Sequence, residues 1–168
     1  MLNHSRYWIV TDLDGTLMDE NYDISPATKT LNLMSELEIP VIPCTSKTAS
    51  EVRFFRKKNG LSDPFIVENG AAVYGFNENN SSEWELILGR SYKELRTILM
   101  NISNIVNYHL TPLNDLNHKQ IFELTGLSDQ SINRALDRQW SVPFLNPPDE
   151  IFAKVNSICE AYNVHVFK

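Results

Sequence analysis

Positive charge is in short supply in this chain: 15 Lys and Arg stand against 21 Asp and Glu, leaving 168 residues with a net charge of −6 at pH 7. A chain of that sign repels a polyanion, so nucleic acid is not an expected partner. Long apolar runs are missing as well. No stretch approaches the roughly 20 residues that span a bilayer, and Met1-Leu2-Asn3-His4-Ser5-Arg6 leads straight into a strand pattern with no secretory signal. A membrane partner is therefore not expected, and the location read from the chain is cytoplasmic. Cysteine is reduced to Cys44 and Cys159, far apart, which suits two buried thiols better than a disulfide. The four histidines, His4, His109, His118 and His165, lack metal-ligand spacing and read as structural or surface groups; only His109 is a candidate for substrate contact. There are no internal repeats, and no low-complexity tract beyond a short Asn/Ser run.

What is present concentrates near the N-terminus. The apolar run Tyr7-Trp8-Ile9-Val10 is followed at once by Thr11-Asp12-Leu13-Asp14-Gly15-Thr16-Leu17. A run apolar on both pleat faces predicts the central strand of a parallel sheet, and open α/β sheets bind ligands beyond the carboxyl ends of their strands. Two residues apart on extended backbone, Asp12 and Asp14 point the same way while Leu13 turns into the fold; Gly15 lets the chain turn. Carboxylates held so close call for a cation between them or a proton on one. Either state suits phosphoryl transfer, in which one carboxylate attacks phosphorus, a second protonates the leaving oxygen and then deprotonates water, and Mg²⁺ neutralises the phosphate. The plainer reading is an Asp/Gly turn after a strand. A calcium loop fits poorly, because no acidic ligands follow in register after Thr16, Leu17 and Met18.

A second segment bears on the same chemistry. Residues 41–44 form a short apolar strand, and Thr48-Ala49-Ser50-Glu51 is a capping box that opens a helix running to Lys57, Lys58 and a Gly60 stop. Thr45, Ser46 and Lys47 thus occupy a strand-to-helix loop, which offers hydroxyls, free N–H groups, the positive end of a helix dipole and one ammonium to a phosphate. The same residues serve equally well as a helix cap and a solvated lysine, and the loop alone does not decide between them.

Ser25-Pro26 starts a helix striped with Ala27, Leu31, Met34 and Leu37, so residues 7–74 read as strand, helix, strand, helix, strand, strand with parallel βαβ character. The polar run over 77–83 marks a boundary, giving a core over 1–80 and a second domain over 81–168. The second part offers a strand at 84–88 and a capping box, Ser91-Tyr92-Lys93-Glu94. That box opens a helix with Leu95, Ile98, Leu99, Ile102, Ile105 and Val106 on one face. Short helices follow around 119–124 and 130–136, then an apolar segment at 140–145 and a Pro147-Pro148 break. A helix aligning Ile151, Phe152, Val155, Ile158 and Cys159 comes next, and the chain finishes in Val164-His165-Val166-Phe167.

Asp12-Leu13-Asp14-Gly15-Thr16-Leu17 after an apolar strand resembles the first motif of the haloacid dehalogenase-like phosphatases. The loop Thr45-Ser46-Lys47-Thr48, with residues 65–73 (Phe-Ile-Val-Glu-Asn-Gly-Ala-Ala-Val), is similar to the mannosyl-3-phosphoglycerate phosphatase branch, where most relatives carry Thr-Gly-Arg instead. The resemblance covers nearly the whole chain. It implies an α/β fold, a partial Rossmann-like parallel-sheet core with an inserted α/β cap. It makes Asp12 the nucleophile and Asp14 the general acid/base, with Mg²⁺ as cofactor at Asp12 and Asp14. Thr45 would hold the transferring phosphoryl group, Ser46 and Lys47 would face the phosphate or the acid end of the substrate, and the Glu68-Asn69 turn would join that site. Residues 124–128 and 138–141 look like cap segments of the branch, although Val142 stands where many members carry an acid, which leaves the sugar open. Arg138 and Arg134 suit a bidentate pair with the glycerate carboxylate, or are simply solvated.

The resemblance also marks an absence. The family continues past the cap into a Gly-Gly-Arg turn, a lysine that neutralises the aspartyl-phosphate and a Gly-Asp-x-x-Asn-Asp loop, and this sequence holds no Gly-Asp pair. Asp12 and the Asp14 carbonyl alone would hold Mg²⁺ weakly, so this chain by itself is expected to be inactive. Its apolar strand at 7–11 would be left as an edge open to self-association or to a C-terminal complement. Asp63 and Glu68 are the first acids to examine as substitute metal ligands. The leading functional reading is a phosphatase that converts mannosyl-3-phosphoglycerate, or the glucosyl analogue, to the free glycoside through an aspartyl-phosphate. Against it stand a non-catalytic binding or regulatory module, and a sucrose-phosphatase-like or general sugar phosphatase sharing the first motif.

Overall fold

In the computed structural model, which describes residues 7–19, 22–77 and 82–168, strand β1 (Ile9–Thr11) runs parallel to β2 (Val41–Pro43) in the register Ile9 to Val41 and Thr11 to Pro43. Between them a 3₁₀ turn (Ser25–Ala27) leads into α1 (Thr28–Glu36), which completes the expected βαβ unit. His4 and the middle of the polar run over 77–83 lie outside the described residues. After β2 come α2 (Ala49–Asn59) and β3 (Phe65–Val67), then β4 (Ala72–Asn77) and β5 (Ser82–Ile87), which with β3 form an antiparallel sheet in the order β3-β4-β5. One parallel bridge, Cys44 to Ile66, links β2 to β3. The mixed α/β class with parallel pairing agrees with the sequence.

The first strand is not central among the described residues. It is hydrogen-bonded to β2 alone, and Tyr7, Trp8 and Val10 stand 66%, 65% and 56% exposed. A run that is apolar on both faces was expected to be buried on both faces; here it forms the edge the same reading attached to a strand without further neighbours.

The core of this part lies between α2 and the strands, where Leu13, Val52, Phe65, Val67, Ala72 and Tyr74 are buried. Phe65 stacks on Tyr74 with ring centroids 5.4 Å apart. The Arg56 guanidinium lies 4.5 Å from the Phe65 centroid and that of Arg53 4.7 Å from Tyr74, capping the stack from α2. Arg53 then reaches β5 through a bidentate pair with Glu83, at 3.0 and 2.6 Å. On the hairpin, Gly75 sits directly opposite Trp84, and a Cβ built on Gly75 would stand 2.1 Å from Trp84 Cζ2, so the indole occupies the space a side chain would take.

That hairpin moves the expected domain boundary. The polar run over 77–83 falls between two paired strands, β4 and β5, matched from Ala72 with Ile87 to Asn77 with Ser82. The compact units are accordingly Met1–Gly89 and Arg90–Lys168, and the strand read at 84–88 belongs to the first.

The second unit is built from α3 (Tyr92–Val106), α4 (His118–Thr125), α5 (Asp129–Leu136) and α6 (Asp149–Ala161). Ile98, Leu99 and Ile102 of α3 pack with Leu110, Val155 and Cys159, which matches the apolar face read from sequence except at its end, where Ile105 is exposed. The Ser91/Glu94 capping box forms as expected: Ser91 Oγ accepts from Glu94 N, and the Glu94 carboxylate accepts from Ser91, which holds its pKa below the ordinary carboxylate value. The segment at 140–145 makes a single antiparallel bridge, Phe144 to Pro112, and the C-terminal residues 164–167 form no strand. Leu113 N donates to Pro143 O at 2.9 Å and Leu145 N to Thr111 O at 2.8 Å, but Pro143 has no N–H to return to Leu113 O. The α/β character expected of this unit is thus reduced to helices and one bridge. No helix among the described residues is long and apolar enough to cross a membrane.

Candidate active site

The carboxyl ends of β1 and β2 are tied together where Cys44 N donates to Thr11 O at 2.8 Å. Three segments leave that edge. In the first, Leu13 is fully buried while Asp12 and Asp14 on either side are exposed, the alternation their spacing predicts. Leu13 N donates to Asp12 Oδ1 at 2.7 Å. Gly15, at φ 67°, then lets the chain fold back so that Met18 N reaches Leu13 O at 2.8 Å.

The second segment is the strand-to-helix loop. Thr45 is 4% exposed, its N–H donating to Ile66 O at 3.1 Å and its Oγ1 accepting from Lys47 N at 3.3 Å. Thr48 caps α2 as expected: its Oγ1 accepts from Glu51 N at 3.1 Å, and Glu51 Oε2 accepts from Thr48 N at 2.9 Å. Such a reciprocal cap stabilises a helix start by about 1 kcal/mol, and here it also fixes where the loop ends.

The third segment is the corner after β3. Glu68 and Asn69 both take left-handed backbone, at φ 48° and 61°. Asn tolerates this conformation; Glu does so at a cost. Two hydrogen bonds to the neighbouring loop hold the corner, from Glu68 N to Lys47 O at 3.0 Å and from Asn69 N to Thr45 O at 3.1 Å.

Asp12, Cys44, Thr45, Ser46 and Asn69 line one open cleft of about 260 Å³. Four of the residues singled out in the sequence therefore meet: Asp12, Thr45, Ser46 and Asn69. Asp14, Lys47 and Glu68 are not in the lining. Lys47 Nζ lies 2.9 Å from Asp14 Oδ2, 4.0 Å from Glu51 Oε1 and 5.3 Å from the centre of the Tyr22 ring. Glu68 is buried at the corner. Asp63 accepts from Val41 N at 2.8 Å and so anchors the start of β2. Arg138 belongs to the second unit, where its Nε donates to Ala135 O at 3.2 Å and its guanidinium to Ser141 Oγ at 3.1 Å. Arg134 of the same unit donates to Ser131 Oγ at 3.1 Å, and His109 there is exposed. Cys44, Tyr22 and Glu51 were not read as site residues. Cys44 adjoins the loop motif, and Glu51 showed only its capping role; nothing local marks Tyr22.

Among the described residues no cluster of three or more His, Cys, Asp or Glu gathers for a metal ion. The Asp12 carboxylate and the Asp14 carbonyl offer the hard oxygen donors that Mg²⁺ takes, and Mg²⁺ commonly keeps several waters while bound through one or two carboxylates. The residues present fit such a loosely held cation.

The haloacid dehalogenase-like hydrolase family matches residues 9–134. Two glucosyl-3-phosphoglycerate/mannosyl-3-phosphoglycerate phosphatases are similar in sequence. The one from Persephonella marina is 32% identical over 170 residues, covering 95% of this chain and 62% of the relative. The one from Methanococcoides burtonii is 32% identical over 175 residues, covering 97% of this chain and 64% of the relative. The chain thus spans less than two thirds of the length of these relatives. Among solved structures, a Thermoplasma acidophilum protein superposes with a TM-score of 0.62 at 16% identity, over 96% of this chain and 60% of its own. A haloacid dehalogenase-like hydrolase from Bacteroides thetaiotaomicron gives 0.61 at 18%, over 96% and 67%. Identities this low speak for the fold alone.

Proposed function

The chain belongs to the haloacid dehalogenase-like hydrolases, and from that membership we propose that it carries the nucleophile and phosphate cradle of a phosphomonoesterase acting on mannosyl-3-phosphoglycerate or its glucosyl counterpart. Asp12 attacks phosphorus, forming an acyl phosphate as the ester P–O bond breaks, and Asp14 gives its proton to the departing alkoxide. Asp14 then takes a proton from water, whose attack on phosphorus releases inorganic phosphate and regenerates Asp12. Thr45, Ser46 and Asn69 bind the phosphoryl oxygens. The Asp12 carboxylate and the Asp14 carbonyl would hold Mg²⁺, which would supply charge neutralisation for those oxygens.

One observation carries this reading: Asp12, Thr45, Ser46 and Asn69 converge from three separate segments on one cleft. A turn that only reversed the chain would need no such convergence. The substrate class is supported by the Thr45-Ser46-Lys47-Thr48 loop and by the names of the two relatives. The free thiols of Cys44 and Cys159 support a reducing, cytoplasmic setting. The test is phosphate release in Mg²⁺ from mannosyl-3-phosphoglycerate, glucosyl-3-phosphoglycerate, sucrose phosphate and p-nitrophenyl phosphate. With this chain alone, acyl-phosphate formation is expected to be fastest from the first two while turnover stays near background, and the absence of acyl-phosphate formation with every ester would refute the assignment.

The exposed side of β1 supports a protein partner that adds a strand at that edge, a second copy of the chain or a C-terminal complement. Residues 1–168 are expected to elute from size exclusion as more than a monomer, and Val10→Lys to shift the population to the monomer. A wild-type chain that stays monomeric at high concentration would rule out the second copy.

A further inference from the structure

We propose that Lys47 serves Asp14 and not the substrate: Tyr22 and Glu51 hold its ammonium against the Asp14 carboxylate, which makes Lys47, Tyr22 and Glu51 positioning residues for the general acid/base. This deepens the reading above and rests on it. A lysine is a flexible point charge, poorly suited to fixing another group unless it is itself held. Here it is held on several sides. Its side chain is only 17% exposed, with Asp14 Oδ2 at 2.9 Å, Glu51 Oε1 at 4.0 Å and the face of Tyr22 at 5.3 Å. Glu51 is fixed in turn, because its other oxygen, Oε2, accepts from Thr48 N at 2.9 Å and Thr48 Oγ1 at 3.1 Å at the start of α2. Asp14, by contrast, is 44% exposed on a loop and has no comparable anchor besides Lys47 among the described residues.

Tyr22 adds a second, independent observation. It takes left-handed backbone at φ 59°, an outlier for a bulky side chain, within a turn closed by Tyr22 N to Asp19 O at 3.0 Å and Asp19 N to Asp23 O at 3.0 Å. The loop is bent at the residue that lays its ring over the ammonium, a contact worth most where the cation is shielded from water. Neither Lys47 nor Tyr22 lines the cleft bounded by Asp12, Thr45, Ser46 and Asn69. An anionic substrate recruiting Lys47 would have to draw it away from two acids and an aromatic face.

The experiment uses the full 168-residue chain and two readouts. In NMR, the Lys47 Hε resonances should be shifted upfield by the Tyr22 ring, retain that shift in Tyr22→Phe and lose it in Tyr22→Leu. Saturating inorganic phosphate should move the Ser46 and Asn69 amide signals while leaving Lys47 Hε in place. In single-turnover kinetics, Lys47→Gln and Tyr22→Leu should lower the rate of acyl-phosphate formation from an alkyl phosphate by about 10- to 100-fold with half-saturation near wild type, and Tyr22→Phe should restore the rate. The burst of p-nitrophenolate from p-nitrophenyl phosphate should survive in both, because that anion departs without a proton. Loss of the Lys47 ring shift on adding phosphate, an unshifted Lys47 in the wild type, or a raised half-saturation concentration at an unchanged single-turnover rate in Lys47→Gln would overturn the proposal. Silence of the Ser46 and Asn69 amides towards phosphate would instead count against the functional reading, with the Tyr22 comparison still deciding how Lys47 is held.

Discussion

Asp12→Asn is expected to end phosphoryl transfer to the chain, and in a complete version of the enzyme to lower kcat on the order of 10⁶-fold, the scale that follows removal of the nucleophile from a hydrolase with a covalent intermediate. The amide oxygen carries no negative charge and cannot form a stable acyl phosphate, yet it can still accept the hydrogen bond that Leu13 N gives Asp12 Oδ1, so the cleft should keep its shape. The measurement is ¹⁹F NMR of the beryllofluoride adduct, which mimics an aspartyl-phosphate and needs no turnover. Wild type and Asp14→Asn should both take the adduct, since Asp14 acts on protons rather than phosphorus. An adduct of undiminished stoichiometry in Asp12→Asn would move the nucleophile elsewhere.

The largest effect on stability is expected at Gly75. A Cβ there would stand 2.1 Å from Trp84 Cζ2 and 2.3 Å from Cε2, so Gly75→Val must push the indole off the strand facing it. Overpacking of this kind costs about 1–3 kcal/mol, here through the indole contact that β5 lays on Gly75 and must give up. Urea unfolding should show a lower midpoint for Gly75→Val. Combining it with Trp84→Ala should recover part of the loss, since the two changes act on one contact. An unchanged midpoint would mean that the ring swings aside at no cost.

The features legible in the sequence were those decided within a few residues. The capping boxes Thr48/Glu51 and Ser91/Glu94, the stop at Gly60 with φ 67° and the burial of Leu13 between two exposed acids all rest on local hydrogen bonds or on the period of a strand. What escaped depended on partners distant along the chain. The segment at 84–88 reads as a strand but does not say which sheet it joins, and β4 claimed it. The apolar run at Tyr7–Val10 predicts burial only if strands flank it on both sides, and among the described residues β2 is its sole neighbour. Residues 140–145 have strand-like apolar character, but Pro143, opposite Leu113, lacks the N–H that a further ladder bond requires. Asp12, Thr45 and Asn69 were each read as candidates; their meeting in one cleft, and the turn of Lys47 towards Tyr22, are products of tertiary structure.

The pair of hydrogen bonds that joins the corner at Glu68–Asn69 to the loop at Thr45–Lys47 has a dynamic consequence. Each bond crosses from one segment to the other, and the two lie side by side, so neither wall of the cleft can breathe alone. The walls are therefore expected to open together in native-state hydrogen exchange, with the left-handed backbone at Glu68 favouring release once both bonds part. A phosphate bridging Ser46 and Asn69 would raise the opening free energy of the whole unit at once, so ligand affinity and local protection would rise together at residues that never touch the ligand.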